Sequence, residues 1–271
     1  MSAYLDHFGL KSEPFSKEID DNKLWLPDSK RNIVDELVAC VHERKHATVT
    51  GDPGVGKTCM LRALRHALGT EQAIRLTYCH NVTLGRRDFY RHVCHALGIP
   101  YGCTAGDVFL SVSKHIEDLA RERTIPVLLV DEAHLLHQDT LDHLHILLNY
   151  QWDSRALLSL VLVGLPELND RLALRRNRSL FSRVQRRLAI SPLAPEDSVE
   201  YVRIRLHKAG CDREIFTGDS LAMLHEAANG SLRDMDRLAT AALREAARRK
   251  RKLVERDVIG RVVDFETKEA A

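Results

Sequence analysis

Over the first two-thirds of the chain, short apolar runs alternate with helical segments. HATVTG (46–51) predicts a strand and KTCMLRALRHAL (57–68) the helix after it. AIRLTY (73–78) predicts a second strand and RRDFYRHVCHAL (86–97) a second helix. GDVFLSVSKHIEDLARER (106–123) reads as helix, IPVLLV (125–130) as strand, TLDHLHILLNY (140–150) as helix and ALLSLVLVG (156–164) as strand. Strands alternating with helices imply βαβ units and a largely parallel sheet. The strand runs barely alternate in polarity, as strands covered on both faces should.

After Arg187 the pattern changes. LAISPLAPED (188–197), with two prolines, reads as a last strand and a connector. Beyond it only helical patterning remains, over 197–209, 217–228, 232–249 and 255–263. Asn229-Gly230 supplies a stop and restart between two of these helices. The expected organisation is an α/β domain over 1–193, including an N-terminal extension (1–45), and a small all-helical domain over 194–271. No internal repeat appears, and the one biased tract is the basic run RRKRK (248–252).

Composition narrows the class. A chain of 271 residues has room for one large core or two modest ones. Its 44% hydrophobic and 29% charged residues are those of an ordinary soluble protein. A net charge of +2 gives no global signal for a polyanionic partner, although local basic clusters can still supply one. No uninterrupted apolar run of about 18 residues is present, so no membrane span is expected. The start, MSAYLDHFGLKSEPF, is polar where a signal peptide needs an apolar core. Cys40, Cys59, Cys79, Cys94, Cys103 and Cys211 are scattered and form no CxxC pair, so they read as reduced thiols of a cytoplasmic protein.

Two motifs carry chemistry. VTGDPGVGKTCML holds G-x-x-x-x-G-K-[ST] between a strand and a helix, the setting a phosphate loop requires. Its binding set runs through Gly51, Asp52, Pro53, Gly54, Val55, Gly56, Lys57, Thr58 and Cys59. Backbone N–H groups and the helix N-terminus would cradle a β-phosphate. Lys57 would reach the β/γ-phosphates, and the Thr58 hydroxyl would bind Mg²⁺. The second motif, Asp131-Glu132, ends an apolar strand, where a parallel sheet lines its ligand crevice. Asp131 would bind Mg²⁺ and Glu132 would polarise the attacking water, so both motifs point to ATP with Mg²⁺ and to an ATPase. The tetrapeptide DEAH also tags a helicase class, but only about 80 helical residues follow the α/β part, too few for a second motor domain. His134, His137, His143 and His145 have neither flanking cysteines nor an HExxH frame, and read as surface or interface histidines.

Phosphate loop, Asp-Glu strand end, basic segment and helical C-terminal part together resemble an AAA+ ATPase, implying a P-loop α/β fold with a helical lid. SLFSRVQRRLAISPL (179–193) resembles the arginine-finger segment, with Arg183 the best match and Arg178, Arg186 and Arg187 as alternatives. NGSLRDMDRLATAAL (229–243) resembles the sensor-2 motif, which implies that Arg233 touches the nucleotide. The sequence departs from the family at LVGLPEL, where Leu165 stands in place of a polar sensor-1 group; sensor 1 is unassigned and slow hydrolysis is implied.

The opening YLDHFGLKSEPFS…DNKLWLPDSKRNIVDEL and VLVGLPEL resemble the ExeA/GspA group, which includes secretion-associated ATPases and transposon-encoded regulators of the TnsC/TniB type. Secretion-type members continue into a membrane span, so a chain ending at Ala271 is expected to belong to the transposition branch. The resemblance implies a MuB-like role: a homo-oligomeric ring or filament on double-stranded DNA that marks a target and recruits a transposase, with a target-selection adaptor as a further partner. It also implies phosphate contacts after the second strand, at Arg86, Arg87, Arg91 and Thr104. The alternative is a secretion or envelope-assembly ATPase with a membrane partner.

Overall fold

Five strands form one parallel sheet in the order β2-β3-β4-β1-β5. They are β1 (His46–Thr50), β2 (Ile74–Cys79), β3 (Ile125–Val130), β4 (Ser159–Gly164) and β5 (Val184–Ala189). The computed structural model describes residues 3–80 and 82–269. It divides into two units, one of Asp28–Asp52 and Lys57–Ile190, the other of Met1–Pro27, Pro53–Gly56 and Ser191–Ala271.

The first unit holds the sheet and α2 (Asp28–His42), α3 (Lys57–Leu68), α4 (Arg86–Leu97), α5 (Ala105–Arg121), α6 (Gln138–Leu147), α7 (Glu167–Ala173) and α8 (Arg178–Phe181). Apolar side chains on both faces of β3 and β4 explain the unbroken runs in the sequence. Leu128, Val130, Leu160 and Leu162 enter one core with Phe89, Tyr90, Val112 and Leu144 from the helices. Val127, Leu129, Val161 and Val163 alternate with them and are equally buried. The two sheet faces are thereby covered by different helices.

β5 departs from the sequence expectation. It begins at Val184, so Arg186 and Arg187 lie in the strand rather than before it. Their exposure follows from position: β5 is an edge strand, paired only with β1.

In the second unit α9 (Pro195–Lys208), α10 (Gly218–Ala228), α11 (Leu232–Arg248) and α12 (Arg256–Glu269) pack with α1 (Ala3–Phe8). Proline opens α9 at a position where its missing N–H costs nothing. Ser231 caps α11, accepting the Asp234 N–H, and Leu232, Met235, Leu238, Ala239, Ala242, Leu243 and Ala246 form that helix's buried stripe. The sequence pattern places residues 1–45 with the nucleotide-binding domain. Of these, residues 3–27 instead cluster with the helices, because Tyr4, Leu5, Phe8, Leu10 and Phe15 share a core with Leu206, Phe216 and Leu243. Among the described residues no helix is long and apolar enough to cross a membrane.

His46 opens β1 only 7% exposed, and its Nδ1 accepts the Leu160 N–H at 3.2 Å. Burial, reinforced by the charge of Arg183 and opposed by Asp153, pushes its pKa down from 6.5 to about 4. The unfolded chain therefore takes up a proton near pH 6.5 that the folded chain refuses until about pH 4. Stability should fall as the pH drops through that window, by on the order of 3 kcal/mol at its foot. Urea unfolding of wild type and His46→Gln at both ends of the window checks this, the variant losing part of the pH dependence.

Candidate nucleotide site

In a parallel sheet every strand ends on the same edge, and here the loops after β1, β3 and β4 meet there. Gly51, directly after β1, donates its N–H to the carbonyl of Gly164 at the end of β4 (3.3 Å). Gly54 and Gly56 have φ of +83° and +101°, a backbone that non-glycine residues adopt only under strain. Lys57 is 9% exposed, and its ammonium donates to the carbonyls of Gly51 (2.7 Å) and Asp52 (3.0 Å). Thr58 is exposed on the first turn of α3, Cys59 is half-buried and Val55 is buried. Asp52 and Pro53 are exposed.

Pro53–Gly56 cluster with the helical unit. There the Arg233 N–H donates to the Gly54 carbonyl at 3.3 Å. A Cβ on Gly54 would fall 2.4 Å from Ser231 Oγ, so that approach also requires glycine. The Arg233 side chain is exposed.

Asp131 follows β3 and is 7% exposed. A buried carboxylate needs donors, and it has two. Tyr78 OH donates to Oδ2 at 2.9 Å, and the Glu132 N–H donates to Oδ1 at 2.9 Å. Burial, then the bond to Asp131, pushes the Tyr78 phenol well above its ordinary pKa, so it stays a protonated donor. Glu132 has φ +52° and ψ +33°, a left-handed conformation that costs about 1–2 kcal/mol without a glycine. The 3₁₀ turn Ala133–Leu135 holds it there, with the Leu135 N–H donating to the Glu132 carbonyl at 2.8 Å. The Glu132 side chain itself is 48% exposed and free to face a ligand.

The arrangement therefore joins Gly51, Asp52, Lys57, Thr58, Asp131 and Glu132 at one edge of one unit. Its electrostatics suit a metal-bound polyphosphate: an ammonium beside turned backbone amides, and a carboxylate pair one strand beyond. Sequence reasoning missed Tyr78, whose strand neighbours β3 without any local pattern announcing it. It also read the four histidines as surface or interface groups. His143 instead lies edge-on to Phe109 (4.9 Å) and Tyr90 (6.0 Å), and burial lowers its pKa. His134 is turned back toward Glu132, Nδ1 to Oε2 at 3.5 Å, by the 3₁₀ turn.

The arginine candidates divide. Arg183 is tied to Asp153 Oδ2 (2.6 Å) and to the Ser179 carbonyl (2.9 Å). Arg187 stacks on Phe181 at 3.8 Å. Arg186 is exposed in β5, and Arg178 is exposed at the start of α8 with no ion pair among the described residues. After β2, Arg87 and Arg91 share Asp88 at 3.3 Å each, Arg86 is half-buried, and Arg91 also lies over the Tyr101 ring. Thr104 is the N-cap of α5: its hydroxyl accepts the Asp107 N–H within a capping box. In the basic run, Arg248 and Arg249 share Glu245 while Arg251 pairs with Asp257.

Residues 41–172 match the family described as AAA domain. The chain is 33% identical over 265 residues to general secretion pathway protein A of Aeromonas hydrophila, across 94% of this chain and 47% of that protein. It thus spans about half the length of that curated relative. Among solved structures, Cdc6p from Pyrobaculum aerophilum superposes with a TM-score of 0.70 at 19% identity, covering 89% of this chain and 67% of that one. The ORC1 protein of Aeropyrum pernix, in complex with DNA, gives 0.66 at 19% identity, over 92% and 67%. The RuvB Holliday junction branch migration motor of Thermotoga maritima gives 0.61 at 16%, over 94% and 73%. These three likenesses are of fold.

Tyr78→Phe keeps the ring and removes one of the two donors to Asp131. A lost hydrogen bond to a buried carboxylate should cost about 1–3 kcal/mol. Urea unfolding at neutral pH measures it, and an unchanged midpoint would show that water replaces the phenol.

Proposed function

We propose that this chain, an ATPase of the AAA+ class, is a nucleotide-driven switch of the ExeA/GspA group. ATP binding assembles identical subunits into a ring or helical filament, and hydrolysis dissolves it. The observation that carries this is the joint placement of Lys57, Asp131 and Glu132 on one sheet edge, with Asp131 fixed by two donors. Lys57 exchanges its carbonyl partners for β- and γ-phosphate oxygens. Thr58 Oγ1 and the Asp131 carboxylate would hold Mg²⁺, which would supply positive charge to offset that of the phosphates. Glu132 accepts the proton of the water whose oxygen attacks the γ-phosphorus as the bond to the bridging oxygen breaks. Arg233 contacts the nucleotide from α11.

A neighbouring subunit supplies the arginine finger. Arg178 is the stronger candidate, since Arg183 would first have to give up Asp153. An inserted guanidinium offsets charge developing on the γ-phosphate.

For the partner, we infer duplex DNA in a transposition regulator that recruits a transposase and works with a target-selection adaptor. Arg86, Arg87 and Arg91 would grip backbone phosphates, because exposed pairs such as Arg87–Asp88 are weak and exchange readily. Thr104 contributes least, its hydroxyl being committed to the helix cap. The match to general secretion pathway protein A favours a second reading, an envelope-assembly ATPase with a membrane partner.

Lys57→Ala should lose binding of a fluorescent ATP analogue and all assembly. Glu132→Gln should keep binding, hydrolyse about a hundredfold or more slowly and accumulate assemblies visible by electron microscopy. Anisotropy of labelled duplex DNA, with a slow-hydrolysing analogue, separates the partners. Under the first reading affinity falls steeply with salt, and each phosphate contact removed lowers the log–log slope by about 0.9. An active ATPase that ignores DNA at every salt concentration rules the first reading out in favour of the second.

A further inference from the structure

The chain leaves β4 through the apolar Leu165, yet a polar side-chain atom stands against that strand end. It is Nδ1 of His134, delivered by the turn after β3. A Cβ on Gly164 would fall 3.1 Å from that nitrogen and 3.1 Å from the His134 backbone nitrogen, so the absent side chain makes room for the ring. The Leu165 N–H donates to Nδ1 at 3.4 Å, and Nδ1 lies 3.5 Å from Glu132 Oε2. The histidine side chain is 13% exposed against 48% for the glutamate. Its backbone is pinned as well: Arg171 on α7 donates to the carbonyls of His134 and Leu136. The ring is thus held between the strand end and the carboxylate.

We propose that His134 is a positioning residue for ATP hydrolysis, setting the orientation of Glu132 from the end of β4. This rests on the reading of Glu132 as the group that directs water. A neutral imidazole has one donor and one acceptor nitrogen. Unprotonated, Nδ1 accepts from Leu165 and leaves the Glu132 carboxylate free to turn to water. With the ring proton moved from Nε2 to Nδ1, it donates to Oε2 and holds that carboxylate back, at no change in net charge. The choice is coupled to the phosphate loop through one bond, since the Gly51 N–H rests on the carbonyl of Gly164. A small displacement of Gly51 by a bound phosphate shifts Gly164 and Leu165, and so changes which partner Nδ1 serves. The chain of contacts runs Gly51, Gly164, Leu165, His134, Glu132.

The test combines kinetics with a signal that needs no turnover. His134→Ala should lower kcat by about tenfold to a hundredfold, as misplacement of a catalytic group does, with KM and equilibrium ATP affinity unchanged. His134→Asn, whose amide occupies the place of Nδ1, should recover most of the loss. Because His134 acts through Glu132, the double variant with Glu132→Gln should be no slower than Glu132→Gln alone. In the nucleotide-free protein the ¹⁵N signal of the His134 ring, assigned by its absence in His134→Asn, should move in Glu132→Gln. Full turnover in His134→Ala overturns the proposal, as does a loss that Asn leaves unrepaired, a slower double variant or an unmoved ring signal. Full turnover in Glu132→Gln overturns the underlying reading of the glutamate. Wild-type turnover in His134→Ala beside a slow Glu132→Gln overturns the histidine's role alone.

Discussion

β4 lies between β1 and β3, and that placement sets the scale of the site. Adjacent strands sit about 4.8 Å apart, so one intervening strand keeps the end of β1, with Gly51 after it, about 10 Å from the end of β3, which Asp131 follows. A gap of that width leaves room for a ligand, whereas direct neighbours would form an ion pair with nothing between them. The spacing is secured by apolar burial far from the chemistry. Val161, Val163, Leu160 and Leu162 anchor β4 on both faces, each buried Val or Leu contributing about 1.5–3 kcal/mol. Core packing and the spacing of the groups at the sheet edge are therefore one constraint seen from two ends of a strand.

Strand order also explains how Tyr78, which no motif marks, and His134, which the sequence offers only as a surface or interface histidine, reach the site. Tyr78 reaches Asp131 across the β2–β3 pair, and His134, beside Glu132 in its own turn, reaches Leu165 across the β3–β4 pair. Both act between strands, and strand order is a property of the sheet that no local window of sequence contains. The left-handed Glu132 belongs to this picture. Its conformation turns the chain at once into the 3₁₀ helix that brings His134 back over Gly164, so the strain at one residue positions the next but one.

Much of the framework was legible because its signals are local. The phosphate loop, its flanking strand and α3 follow from glycine spacing and apolar runs, and the four helices after residue 194 from periodicity and from punctuation such as Pro195 and Asn229-Gly230. What escaped has physical reasons. β5 is an edge strand rich in arginine, so its start at Val184 carries no apolar run. The apolar residues of 1–27 were visible, but which core they join depends on contacts some 200 residues away in sequence, such as the Arg213 guanidinium on the Phe8 carbonyl (|i−j| 205). The resemblance put Arg183 first among the arginine candidates; Asp153, Phe181 and open solvent tell Arg183, Arg187 and Arg178 apart.

The exposed margin of β5 has a bearing on how copies of this chain can join. Gln185, Arg186 and Arg187 occupy the middle of that strand and all face solvent. A foreign strand adding itself there would have to strip water from two guanidinium groups with no carboxylate waiting for them. The opposite margin is guarded in kind by Arg75 in β2. Extension of the sheet into a continuous ribbon, the nearly irreversible route by which α/β sheets aggregate, is thereby discouraged at both borders.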